Sequence, residues 1–161
     1  MFRKLMETQP RVSLLLLRLL LGVVMFPHGA QKALGWWGGH GLSATIQGFT
    51  THMGIPLVFA WLAVAAEFLG SVGLIVGLLT RVAAFGIGVV MVVAVLMVHA
   101  GNGFFMNWMG NQKGEGFEYH LLAAAAALVL MIDGGGKASL DRALTAGRDD
   151  TMVAPARAAT L

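Results

Sequence analysis

Glu67 lies near the middle of Leu57–Leu79, a run of 23 residues that is otherwise almost wholly apolar. A bilayer core needs about 20 such residues, so the run is long enough to cross one. A carboxylate at that depth costs roughly 2.5–3.5 kcal/mol on insertion scales. A chain that keeps one must supply a partner, a wet cavity or a task for it. This requirement narrows the fold more than any other feature of the sequence.

The rest of the chain agrees with a membrane setting. Of its 161 residues 57% are hydrophobic and 12% charged, about half the charged share of a soluble domain. Mean hydropathy is +0.76. The net charge of +3 and pI near 9.8 do not point to nucleic acid. The basic residues sit at segment ends and form no patch interleaved with aromatics. The absence of cysteine excludes disulfides, thiolate chemistry and iron–sulfur ligation by this chain itself. The ten methionines fall mostly in apolar runs and read as core filler.

Four apolar segments are expected to cross, over about 12–33, 57–79, 82–101 and 117–133. None alternates with a period of two, so helices are favoured over barrel strands. The fold class expected is all-α, an integral membrane four-helix up-down bundle forming one domain over 1–148. The polar tail 149–161 is expected to be disordered and cytoplasmic. Arg3 and Lys4 before a Leu-rich run resemble a signal peptide, but Arg18 interrupts the run. Pro27, His28, Gln31 and Lys32 stand where a small-x-small cleavage site belongs, so cleavage is not expected.

Arg3, Lys4, Arg11, Arg81, Lys137, Arg142, Arg148 and Arg157 fall on one side of such a bundle. Lys32 and Lys113 fall on the other. That bias predicts both termini in the cytoplasm of a multi-pass protein. The first outer loop, Gly35–Pro56, carries Leu42, Ile46, Phe49 and Met53 at helical spacing behind Trp36 and Trp37. It predicts a short amphipathic helix in the interface. The second, Asn102–Gly116, carries Phe104, Phe105 and Trp108 and is expected to fold over the bundle. The fourth segment is firmly apolar only over Leu121–Ile132, so its crossing must include Phe117, Glu118, Tyr119 and His120.

On the first helix Arg18, Gly22, Met25, Gly29 and Lys32 share one face, with His28 at its edge. Pro27 leaves the Val23 carbonyl free and predicts a kink. Comparing depths along antiparallel helices predicts an Arg18–Glu67 ion pair near the bundle centre. The duller account of that pair is two buried charges satisfying each other. Toward the outer face, His28 and Lys32 end the first helix, His99 ends the third, and Glu118, Tyr119 and His120 begin the fourth. A four-helix bundle brings such ends together. This set suits binding and protonating a carbonyl-bearing ligand. Three histidines also suit a metal or haem, but their spacing matches no metal motif, and none is expected. Gly70, Gly73, Gly77, Gly86 and Gly88 read as sites of close helix approach.

The chain resembles the DoxX family of small four-helix bacterial membrane proteins. The matching pieces are RLLLGVVMFPHGAQKALG, the MGIP turn, AEFLGSVGLIVGLLTR and EGFEYHLLAAAAALVLMIDGGGKASLD. The resemblance carries over Arg18, His28, Gly29, Lys32, Glu67, Arg81 and Glu118. It implies a bacterial inner membrane location. It also implies kinship with subunits of thiosulfate:quinone oxidoreductases, or with oxidative-stress complexes holding a superoxide dismutase and a sulfurtransferase. Without cysteine, any sulfur transfer needs a partner protein or a soluble sulfur substrate.

Two functions follow as expectations. In the first, Lys32, His28, His99, Tyr119 and His120 bind a quinone headgroup, while Glu67, Arg18 and Glu118 carry the proton chemistry. Electrons come from a donor substrate or a partner redox subunit, in a heteromeric or homo-oligomeric assembly. In the second, the chain is a non-catalytic anchor, an assembly partner or a small-molecule permeation element, and the polar cluster is helix glue.

Overall fold

The structure is a computed structural model and describes residues 5–146. The tail 149–161, and with it Arg148 and Arg157, lies outside the described residues, as do Arg3 and Lys4. All regular structure among the described residues is helical. The elements are α1 (Val12–Leu34), α2 (Gly41–Gln47), α3 (Leu57–Val76), α4 (Thr80–Ala94), α5 (Glu118–Asp133) and α6 (Leu140–Ala146). Short turns extend several of them. Trp36–Gly38 follows α1, a π turn over Gly48–His52 follows α2, and α4 runs on through a π turn, Val95–His99, to Asn102.

Among the described residues three helices are long and apolar enough to cross a membrane: Val12–Leu34, Leu57–Val76 and Thr80–Asn102, of 23, 20 and 23 residues. At 1.5 Å per residue each reaches about 30 Å or more, the thickness of the hydrocarbon core. The burial pattern is that of a lipid-facing molecule. Leu20, Phe59, Leu69, Leu96 and Leu122 are all more than 60% exposed. Arg18 and Glu67 are 1% and 6% exposed. A soluble domain inverts this arrangement.

α1 packs on α3, α3 on α4 and α4 on α5, with a smaller contact between α1 and α5. The core between them is Leu21 and Met25 from α1, Leu74 from α3, Ala84, Ile87 and Met91 from α4, and Ala123, Ala127 and Leu130 from α5. Gly29 sets the register of α1 against α3, because a Cβ there would stand 2.6 Å from the Phe68 backbone. Gly22 lies against Leu74 and Ile75 in the same way. α1 runs continuously through Pro27 and ends on Gly35 at φ 73°.

One end of the bundle is closed by charged caps. α3 ends at Gly77, whose N–H and that of Leu78 both donate to the Gly73 carbonyl, at 2.8 and 2.9 Å. The next two orphan carbonyls, Leu74 and Ile75, receive Arg18 Nη1 at 2.5 and 2.7 Å. Arg18 also donates to Gly135 O and Ala138 O at 3.0 and 3.2 Å. Arg81 repeats the device on α5, donating through Nη1 to the Met131 and Ile132 carbonyls at 2.6 Å each. Asp141 of α6 accepts from the N–H groups of Leu79 and Thr80 at 2.7 and 2.8 Å, capping the start of α4. The carbonyls and N–H groups left over at helix ends need such partners wherever water does not reach them.

Candidate functional site

The expected Arg18–Glu67 pair does not form. Arg18 is bound to carbonyls at one end of the bundle, and Glu67 Oε2 lies 2.6 Å from Lys32 Nζ toward the other. The reason is register. Leu57 begins eleven residues before Phe68, whereas α1 ends only five residues after its Phe68 contact, Gly29. α3 therefore starts about 9 Å beyond the end of α1. That shift carries Glu67 away from Arg18 and up to the level of Lys32. Gly29 also strips the space around Glu67, since a side chain there would strike the Glu67 and Phe68 backbone.

The Lys32–Glu67 pair is unequally buried, with side chains 28% and 7% exposed. The ammonium approaches Oε2 off the direction of a good hydrogen bond, so the oxygen keeps acceptor capacity. Lys32 Nζ also lies 3.5 Å from the His28 carbonyl, one turn back on α1.

Rings continue the cluster from this pair. His28, exposed on the rim, faces Tyr119 with ring centroids 6.3 Å apart. Tyr119 donates its hydroxyl to Met25 Sδ at 3.4 Å and meets His120 edge-on at 5.4 Å. His120 stacks on His99 at 4.0 Å. His99 Nδ1 is 2.8 Å from the Glu115 carbonyl. A carbonyl only accepts, so that nitrogen carries the proton and leaves Nε2 of a neutral His99 as an acceptor. His120 is buried, and its Nδ1 has no hydrogen-bond partner among the described residues.

Six of the eight residues singled out from the sequence thus converge: Glu67, Lys32, His28, Tyr119, His120 and His99. Arg18 stands at the far end. Glu118 adjoins the cluster but turns to the loop above it, where Oε1 accepts from Met106 N–H at 2.9 Å and the Trp108 indole at 3.4 Å. Glu115 does likewise for Asn107 N–H at 2.7 Å. These two carboxylates hold the 103–117 loop over the site. Sequence reasoning missed Met25 as the Tyr119 acceptor, though it precedes His28 by one turn on the same helix.

Chemically, the cluster offers a fixed ammonium donor, a carboxylate with spare acceptor capacity, a phenol and three imidazoles inside an apolar bundle. It can bind a ligand with carbonyl acceptors and exchange protons with it.

The DoxX family model matches residues 13–100. An uncharacterized protein of Haemophilus influenzae is 33% identical over 134 residues, covering 81% of this chain and 82% of its own. A Bacillus subtilis protein named "Putative oxidoreductase CatD" is 31% identical over 119 residues, 74% of this chain and 78% of its own. No solved structure matches the chain.

Proposed function

The chain belongs to the DoxX family, and on that premise we propose that it is a four-helix, up-and-down membrane protein that binds a quinone headgroup at its Lys32 end, as a component of a membrane oxidoreductase. In support of a fourth crossing, α5 packs along α4 and also touches α1. Its 16 residues reach about 24 Å, and Phe117 with the loop above it extends that toward a full span. Arg11, Arg81, Lys137 and Arg142 share the Arg18 end, which we place in the cytoplasm of a bacterial inner membrane.

One observation carries the quinone reading. A run of titratable side chains leads from the Lys32–Glu67 pair through His28, Tyr119, His120 and His99 to the Glu115 carbonyl. A bound quinone would accept electrons and protons in pairs at its carbonyl oxygens. Lys32 would donate a hydrogen bond to such an oxygen, and His120 Nδ1 is a buried ring nitrogen that lacks a partner. Glu67 would hold and release protons, passing them along the rings to the loop side. This chain has no cysteine with which to deliver electrons. They come from a soluble reductant or a partner redox subunit. The name of the Bacillus relative points to the same class of chemistry.

The test is lipid extraction of protein purified in native membrane lipid. Quinone should accompany the wild-type chain in near-stoichiometric amount. It should be lost from the double variant Lys32→Met with Glu67→Leu, which removes both charges together and so spares the fold. Repeated absence of quinone from wild-type preparations would falsify the reading.

A further inference from the structure

α4 leaves regular geometry just where it meets the cluster. Val95–His99 is a π turn, a widened turn that recurs at functional sites. Between this turn and the start of α5 lies a cavity of about 150 Å³. Met91, Val92, Val95 and Leu96 form one wall, and His120, Leu121 and Ala124 the other. All but His120 are apolar. Val92, Leu96 and Leu121 are exposed, so the cavity opens sideways on the face the helices turn to lipid rather than among the loops. Its walls expose almost only apolar atoms, so it suits a hydrocarbon group rather than water.

His120 belongs to both places. Its ring lines the cavity and stacks on His99 within the cluster, and it is 8% exposed with Nδ1 unpartnered. Through the carbon atoms of that ring the polar cluster borders an apolar cleft open to the face turned to lipid. We propose that this cleft is the port through which the tail of a membrane-soluble quinone leaves the site. The ring rests against His120, and the first isoprenoid-sized unit of the tail fills the space between Val92, Leu96 and Ala124.

The inference rests on the quinone reading and narrows it to lipid-soluble quinones reached from the membrane. A water-soluble substrate has no use for an apolar lateral opening. A lipid acyl chain lodged there has no use for His120.

The test measures binding in lipid nanodiscs of two probes, a decyl-tailed benzoquinone and the same ring with a methyl group in place of the tail. Ala124→Phe fills the cleft from α5. Val92→Phe narrows it from α4, at a position exposed enough to spare the fold. Ala125→Phe, on the exposed face beside them, is the control. With either filling variant the tailed probe should bind about tenfold more weakly, roughly the worth of two buried methylenes. The tailless probe should bind as before, and the control should change neither. Unchanged affinity of the tailed probe in both filling variants overturns the port, as does equal weakening of both probes. If the wild type binds neither probe, the quinone site itself falls, and the port with it.

Discussion

At the residue scale the Lys32–Glu67 pair makes the sharpest prediction. Removing one partner strands a charge that has been taken out of water, whereas removing both together is close to neutral. Lys32→Met alone should destabilise the detergent-solubilised protein by about 3–5 kcal/mol. Adding Glu67→Leu should recover most of that loss, read as the unfolding midpoint of each variant. A double variant no more stable than the single one sinks the pairing. Arg18 makes a different demand, because its fork meets two successive carbonyls and a compact ammonium cannot. Arg18→Lys should therefore cost about 2 kcal/mol or more despite keeping the charge. That both residues need partners was legible in the sequence, since a charge in an apolar run is costly wherever it sits. Which partner each takes was not legible. It depends on a shift of less than two helical turns between α1 and α3, set by Gly22 and Gly29 against the α3 backbone.

At the scale of elements, the long helices could be read from apolar runs alone, because twenty such residues in a row have few other fates. The helix in the first connection was legible too, from the three- and four-residue spacing of Leu42, Ile46, Phe49 and Met53. α6 was not, because its seven residues carry too few turns for a pattern to register. The work of Asp141 was invisible as well, since the helix it caps starts 61 residues earlier in the chain. Asp141→Ala should cost about 1–2 kcal/mol, as loss of an N-cap does. Amide hydrogen exchange should then accelerate first at Leu79 and Thr80. If those two amides stay protected, the cap is not what holds the turn. The π turn at the end of α4 had no sequence signal either. Its last residue, His99, meets the Glu115 carbonyl and the His120 ring, contacts that no local pattern encodes.

At the scale of the whole molecule, the proposed topology places Lys113 and Lys137 on opposite sides of the membrane. The chain has no cysteine, so single substitutions Lys113→Cys and Lys137→Cys report without background. In intact spheroplasts a membrane-impermeant maleimide should label the first and spare the second until the cells are lysed. Labelling of both in intact cells would refute the four-crossing arrangement. The convergence of Lys32, His28, His99, Tyr119 and His120 at one end was legible from the order of helix ends along the chain, whereas the arrival of Glu67 among them was not. The lateral cleft beside His120 was not, since its walls come from α4, the turn after it and α5, which only the packed bundle brings together. The fork of Arg18 has a further consequence, for biogenesis. Two of its four acceptors, Gly135 O and Ala138 O, belong to the segment synthesised more than a hundred residues later. While the ribosome is still working, the guanidinium of the first helix waits half-satisfied, and the nascent protein is not yet a finished membrane citizen. Truncation just before Gly135 would leave every long helix in place and still present the cell's surveillance proteases with an incomplete product.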